Sequence, residues 1–503
     1  MLKLAPLFSH HAVLQRNKQI AVFGSCDNTS VTVTLGDHTV TADVKDGKFL
    51  LFLPPMCAGG PYVMTVTDGS DRIELTDIMI GEVWLCGGQS NMELELHSAK
   101  DGEEILKTLT PDLPVRFYYT PKQKMVDENL LAAEANCGWN TASPDGSRAW
   151  SAVGFHFATI MSEKLGVTIG LLGCNWGGTS ATAWMSRERI ENIRELSPYI
   201  ENYDNAMQGK TLEEHIKEYD EYIEYSEEWN RKYSEFLKEN PQGSWAEALE
   251  YCGENKFPGP MGPKNEYRPG GLYETMLQRV CPYTLAGVLY YQGESDDHQP
   301  HLYYRLLREM IFQWRTDWKD DTLPFLLVQL PMFKYKHDPD YKHWCKIREA
   351  QHRVADSLKN TELAVILDCG EFDNIHPTDK FPVGDRLARL ALKRYGLCDS
   401  KTADAPMYDY HIISGDTITI TLKNAEDGLC ADGAPLGFEL AGADKQYHPA
   451  AADLSGNTIL LRSDAVSAPM YARYAWTNYM EVNVFGKNGL PLAPFRTSRE
   501  DET

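Results

Sequence analysis

Ile80-Gly81-Glu82-Val83-Trp84-Leu85-Cys86 runs without interruption into Gly87-Gly88-Gln89-Ser90-Asn91-Met92. The first seven residues have the near-continuous apolar character of a strand buried on both faces. The two glycines after them let the backbone turn tightly and clear space beside the serine. Ligands in parallel sheets bind outside the carboxyl ends of the strands, which is where this serine would stand.

The same grammar recurs on either side. Short apolar runs lie at 167–174, 285–291, 325–330 and 363–369, and stretches with helical periodicity lie at 153–165, 303–314, 343–358 and 386–395. Strands alternating with amphipathic helices predict an α/β domain with a parallel sheet covered on both faces, here over 79–398. Residues 187–240 break the alternation, being dense in Glu, Lys, Asp, Tyr and Trp. They read as a solvated helical insertion, or as a lid or dimer arm that would make the protein a homodimer.

The flanks read as β. Over 1–78, Gln19-Ile20-Ala21-Val22-Phe23 and Ser30-Val31-Thr32-Val33-Thr34 are strand-like, and Lys45-Asp46-Gly47 and Thr67-Asp68-Gly69 are hairpin turns. This predicts an N-terminal β-sandwich. Over 399–503, Asp416-Thr417-Ile418-Thr419-Ile420-Thr421-Leu422 alternates with period two and predicts a second β-domain of the same kind.

The charge sum, 49 basic against 72 acidic residues, is −23. Such a surface repels nucleic acid, whose binding depends on basic groups releasing counterions, and an anionic membrane surface for the same reason. No apolar run approaches the ~18 residues of a membrane span. Met1-Leu2-Lys3-Leu4-Ala5-Pro6 reaches Ser9-His10-His11 before an export signal could form, so the sequence as given reads as cytoplasmic, and as periplasmic or secreted only if a signal preceded it. The 11 cysteines include no Cys-x-x-Cys pair and are expected to be free thiols.

Four loops follow predicted strands: Gly87 to Met92, Asn175-Trp176-Gly177-Gly178-Thr179, Gln292-Gly293-Glu294-Ser295-Asp296 and Asp373-Asn374-Ile375-His376-Pro377. Together they contain the parts of an acyl-transfer site. A serine hydroxyl needs a base, a histidine titrates near neutrality, and a carboxylate holds the imidazole in the productive tautomer. Ser90, His376 and Asp373 take those roles. The oxyanion donors would be the Ser90 N–H, an N–H of Gly177 or Gly178, and the Gln292 amide. Gln89, Asn91 and Glu294 would support them from behind, Glu294 by bracing the Gln292 loop through backbone hydrogen bonds, with orienting His376 or binding a substrate hydroxyl as its alternatives. Each loop alone could be an ordinary turn; four of them at successive strand ends of one sheet point to catalysis.

Other chemistries have less support. His298, His301, His337 and His343 lack the convergent spacing of a metal site, so no metal or cofactor is expected. No motif marks a pair of glycosidase carboxylates. Trp184, Trp344, Tyr267, Tyr273 and Tyr335 could stack on a ligand or simply pack. Arg187 and Arg348 are candidates for binding a substrate carboxylate, which a −23 surface would otherwise repel at long range.

Gly-Gln-Ser-Asn-Met, Trp-Gly-Gly-Thr, Gln-Gly-Glu-Ser and Asp-x-x-His-Pro resemble the motifs of the sialate O-acetylesterases, a branch of the SGNH hydrolases. Leu7-Phe8-Ser9 through Gln15-Arg16 and Tyr474-Ala475-Trp476 through Arg496-Thr497 resemble that family's terminal signatures. The chain departs from the pattern at Tyr290-Tyr291, where Trp-Tyr is expected, at Met480 in place of proline, and at His10-His11 in place of a more acidic pair. The resemblance implies a flavodoxin-like hydrolase domain with attached β-domains, no metal, and a Ser90–His376–Asp373 triad. It also implies that Gln292 fills an oxyanion role, and that the substrate is an acetylated carbohydrate. An esterase of acetylxylan or another plant glycan is the alternative, and a non-catalytic carbohydrate-binding protein is the rival class.

Overall fold

A computed structural model describes residues 1–240, 243–336 and 339–498. The chain forms two compact units. One contains Met1–Thr120, Asn136–Gly178 and the chain from Val280 onward; the other contains Pro121–Ala135 and Thr179–Arg279.

The first unit is built on a sheet whose main path has seven strands: β1 (Arg72–Gly88), β2 (Val115–Tyr119), β3 (Trp139–Thr141), β4 (Ile169–Asn175), β5 (Gly287–Tyr291), β6 (Phe325–Val328) and β7 (Thr361–Ala364). They stand in the order β3-β2-β4-β1-β5-β6-β7. All neighbours are parallel except β3, which runs antiparallel to β2. The sheet is therefore mixed rather than purely parallel.

Its helices include α1 (Ser90–Glu93), α2 (Ala152–Leu165), α3 (Pro300–Trp318), α4 (His343–Ser357) and α5 (Phe381–Arg394). Neighbouring residues of β1 show that both faces are covered. The Cys86 sulfur lies 3.1 Å from where a Cβ on Gly154 of α2 would stand, and a Cβ on Gly87 would stand 3.2 Å from Trp314 of α3. Successive residues of a strand point to opposite faces, so α2 and α3 lie on opposite sides of the sheet. This explains the unbroken burial of β1 from Ile80 onward, after the looser burial pattern of its first half.

β1 is seventeen residues long, and the boundary expected near 78 falls inside it. No Gly-Pro or Gly-Asn break interrupts Arg72 to Ile80, and both halves find partners. Val13–Gln15 pairs parallel to Met79, Ile80 and Gly81, and Gly59–Thr67 pairs antiparallel to the first half. The N-terminal strands thus extend the central sheet, while Lys3–Leu4, Ile20–Ser25 and Lys48–Leu53 form a separate three-stranded sheet. The C-terminal region holds two four-stranded sheets and one strand pair. One sheet is built around Thr417–Lys423 and Thr458–Arg462, the other around Phe438–Ala441 and Tyr471–Tyr474.

The second unit is mainly helical, and its longest element is Leu212–Glu239. A capping box starts it, with the Thr211 hydroxyl on the Glu214 N–H and the Glu214 carboxylate on the Thr211 N–H. His215, Tyr219, Trp229 and Phe236 form its buried stripe, and Trp245–Cys252 packs back against it. This unit reaches beyond the expected 187–240, taking in 121–135 and 179–279.

All eleven cysteines are free thiols, five of them buried, so the core needs no disulfide staples. Among the described residues, no helix is long and apolar enough to cross a membrane.

Candidate active site

The register of the sheet assembles the site. Gly88 stands level with Asn175 on one side and with Tyr291 on the other, so three of the four loops leave the sheet side by side. The chain passes from β1 to β4 on one side and then to β5 on the other, which makes the end of β1 a switch point. Gly88 itself has φ +131°, and a Cβ there would lie 2.1 Å from the Tyr291 carbonyl oxygen. Only glycine allows β5 this close, and the close approach delivers Ser90 beside the Gln292 loop.

Ser90 opens α1 and is half-buried. The His376 Nε2 lies 2.8 Å from its Oγ, the separation of a nucleophile and its general base. Partial burial pushes the imidazole below its ordinary pKa; the Lys380 ammonium adds to that effect, and the Glu93 carboxylate opposes it. The histidine loop is held by its own polar groups. Asn374 Oδ1 accepts from the His376 N–H at 3.0 Å, and Asn374 Nδ2 donates to Glu371 at 2.8 Å.

Asp373 does not hold the imidazole in this structure. It sits at φ +64°, and its carboxylate accepts the Lys336 N–H at 2.9 Å. A left-handed residue three positions before the histidine turns its side chain toward the 334–336 segment, where the Asp373 N–H also donates to the Lys334 carbonyl.

The oxyanion donors divide in the same way. Gly177 packs on the serine, its absent Cβ falling 3.3 Å from the Ser90 Cβ, but its N–H donates to the Glu93 carboxylate at 2.6 Å. The N–H groups of Ser90 and Gly178 have no hydrogen-bond partner among the described residues. Gln292 is 1% exposed, and its amide donates to Gln89 Oε1 at 3.2 Å and to Asp296 Oδ2 at 2.6 Å. Tyr303 donates to its Oε1 at 2.9 Å. An amide whose two protons are already held cannot also be aimed at an oxyanion. Gln292 is thus part of the buried floor.

Gln89 braces the third loop, accepting from Gln292 Nε2 and from the N–H groups of Gly293 and Ser295. Glu294 acts elsewhere: its Oε1 accepts from Asn91 Nδ2 at 2.7 Å. Asn91, fully buried, also donates to the Ile375 carbonyl at 3.0 Å and accepts from Lys380 Nζ at 2.5 Å. The asparagine after the nucleophile therefore joins the serine, glutamate and histidine loops.

The three residues expected to touch substrate are committed elsewhere. Trp184 is fully buried, its indole N–H on the Thr179 hydroxyl at 3.0 Å. Arg187 is held by Glu191 at 2.6 Å and Asp204 at 2.7 Å. Arg348 has no exposed surface and donates to the carbonyls of Leu330, Pro331, Thr477 and Asn478, tying α4 to the C-terminal region. Burial lowers its pKa to about 10. Arg348→Leu would strand four carbonyls and should cost about 3 kcal/mol or more in urea unfolding while leaving KM unchanged. A substrate-binding arginine would instead raise KM.

Among the described residues no group of histidines, cysteines and carboxylates could hold a metal ion, and His337 lies outside them. Trp344 is buried with its N–H on Asp297, and Tyr335 is 46% exposed, packed edge-on against Phe333. Sequence reading missed Lys380, Asp296, Tyr303 and Glu93. Of these only Asp296 lay within a quoted motif.

Comparison with known proteins places the chain among carbohydrate esterases by similarity. Residues 262–393, which include Gln292, Glu294, Asp373 and His376, match the family model of carbohydrate esterases described as sialic acid-specific acetylesterase. The sialate O-acetylesterase of Mus musculus is 27% identical over 420 residues, covering 76% of this chain and 72% of its own. That of Homo sapiens is 26% identical, covering 76% and 69%. The crystal structure of a carbohydrate acetylesterase from Xanthomonas citri superposes with a TM-score of 0.78 at 29% identity, covering 99% of both chains, and so takes in Ser90 as well. The chain is thus similar to the sialate O-acetylesterases over about three quarters of its length and to a carbohydrate acetylesterase over nearly all of it.

Proposed function

We propose that this protein removes acetyl groups from acetylated sugars by acyl transfer through Ser90. The observation that carries the reading is the 2.8 Å contact of His376 Nε2 with Ser90 Oγ at the end of the central strand. Ser90 Oγ attacks the acetyl carbonyl as His376 takes its proton. The C–O bond to the sugar breaks, and the sugar oxygen takes the proton back from His376. Water then attacks the acetyl-serine, giving its proton to His376; acetate leaves and Ser90 Oγ is reprotonated. The Ser90 and Gly178 N–H groups, both without partners among the described residues, are the proposed oxyanion donors. Asp373 is the proposed carboxylate for the imidazole Nδ1–H, a role that requires its side chain to come within reach of the ring in the reacting complex, with or without the Lys336 N–H it accepts here.

A flavodoxin-like SGNH core fits this assignment. Taken in chain order, β1, β4, β5, β6 and β7 stand in the sheet as 2-1-3-4-5, the flavodoxin order, with β2 and β3 added at one edge. With the first boundary moved off the strand Arg72–Gly88, the chain then divides into an N-terminal support, a hydrolase region ending near 398 and a C-terminal β-domain over 399–503.

Acetylated sialic acid is the substrate implied by the named relatives. A neutral acetylated glycan is the second reading. It is favoured by one observation: Arg187 and Arg348, the two arginines the sequence offers for a sugar carboxylate, are already bound within the protein. Acetate release from O-acetylated sialic acid and from acetylated xylo-oligosaccharide, compared by kcat/KM, decides between them. With either substrate, kcat/KM should fall as His376 gains its proton. Because the imidazole pKa is depressed, that fall should lie below about pH 6.5. A rate independent of pH between about 4 and 7 would remove His376 as the base.

A further inference from the structure

Directly behind the Ser90–His376 pair lies a buried polar cluster that acyl transfer does not use. Lys380, 2% exposed, places its Nζ 2.5 Å from Asn91 Oδ1 and 5.5 Å from the centre of the Tyr291 ring. Asn91 in turn donates to Glu294, which is 6% exposed and whose Oε2 makes no hydrogen bond. Lys380 is four residues beyond His376, and the Asn91 it binds also grips the Ile375 carbonyl next to that histidine.

We propose that Lys380 is a positioning residue of the esterase, fixing the serine helix to the histidine loop through Asn91 and keeping a buried positive charge at the base of that loop. The proposal rests on the acyl-transfer reading above. Burying an ammonium is costly and is normally tolerated only with close partners. Its neighbours are Asn91 from α1, Glu294 from the loop after β5, and Cys369 and Glu371 from the segment leading to His376. Burial raises the Glu294 pKa, which weakens the negative charge set against the lysine. Burial also brings Lys380 down to about 8, still protonated at neutral pH. His376 faces two charges, Lys380 and the opposing Glu93. A cation there disfavours imidazolium and keeps His376 a proton acceptor at lower pH.

The test compares the acid limb of kcat/KM for an aryl acetate in wild type, Lys380→Met and Lys380→Arg. In Lys380→Met the inflexion should rise by about half a pH unit or more, and in Lys380→Arg it should stay at the wild-type position. A loss of rate by the same factor at every pH, with the inflexion unmoved in Lys380→Met, would overturn the electrostatic role. The second measurement is an NMR titration of the His376 imidazole in the wild type, Lys380→Met and Lys380→Arg. Its midpoint should rise in Lys380→Met and stay in place in Lys380→Arg, and a midpoint that is the same in all three overturns the proposal. The titration is read whether or not any ester is cleaved, so absence of esterase activity and absence of the Lys380 effect are separate outcomes.

Discussion

Ser90→Ala should lower the rate of acetate release from an aryl acetate by about 10⁴- to 10⁶-fold, with folding intact. The expected size follows from what the substitution leaves behind. The Ser90 and Gly178 N–H groups belong to the backbone and survive it, so the residual rate should be whatever binding and oxyanion stabilisation give to direct attack by water. Among the described residues, Ser90 makes no hydrogen bond through its Oγ other than the one to His376, and it is half-buried. The alanine therefore strands no other buried group, and stability should change by about 1 kcal/mol or less. Circular dichroism and urea unfolding beside the acetate assay separate the two effects. Equal rates in wild type and variant would exclude Ser90 as nucleophile.

The parts of the site that are legible in the sequence are those fixed by local chemistry. Gly88 has to be glycine for its positive φ and for the Tyr291 carbonyl 2.1 Å from its missing Cβ, and a serine placed just past such a turn is exposed at a strand end. His376 is legible because it shares a short loop with an aspartate and a proline. Commitments made across the fold are not legible. Gln292 has the right donor for an oxyanion, yet Gln89 and Asp296 hold both of its protons. Gly177 lies against Ser90, yet its N–H faces Glu93. Nothing near Lys380 in sequence marks it as buried, because its partners come from α1 and from the loop after β5.

Two of the three residues expected at the substrate do carry a contrary signal in the sequence. Trp344, Ile347, Arg348 and Gln351 fall at the spacing of one helical face, and all four are buried on α4; that periodicity alone puts Arg348 on the inner side. Trp184 lies in the apolar run Ala181 to Met185, whose burial is complete. The strand at 72–88 is a different case. Its two halves carry different patterns because the sheet around them changes from partly open to covered on both faces. Within one strand, such a change imitates the edge of a domain. Only a turn signal marks a real break, and there is none between Arg72 and Ile80.

His376→Ala should cost about as much as Ser90→Ala, roughly 10⁴- to 10⁶-fold in kcat, and the double variant should be little worse than either single one. Two groups that perform one proton transfer lose their function together, so their effects do not add. Additive losses would mean that serine and histidine act in separate steps, which the 2.8 Å contact argues against. Asp373→Asn, measured in the same assay, determines whether the pair works alone. If the carboxylate takes the imidazole Nδ1–H during reaction, asparagine should lower kcat by about 10²-fold or more. If Asp373 serves only the Lys336 N–H, the amide oxygen of asparagine can accept that N–H equally well, and the loss should stay within a few-fold. The larger loss is the expected one. Apart from the bond to Ser90, no hydrogen bond among the described residues holds the His376 ring; the grips nearest to it are on the His376 N–H and the Ile375 carbonyl, which leave the ring free to turn. A base that must keep one tautomer through two proton transfers needs an acceptor at Nδ1.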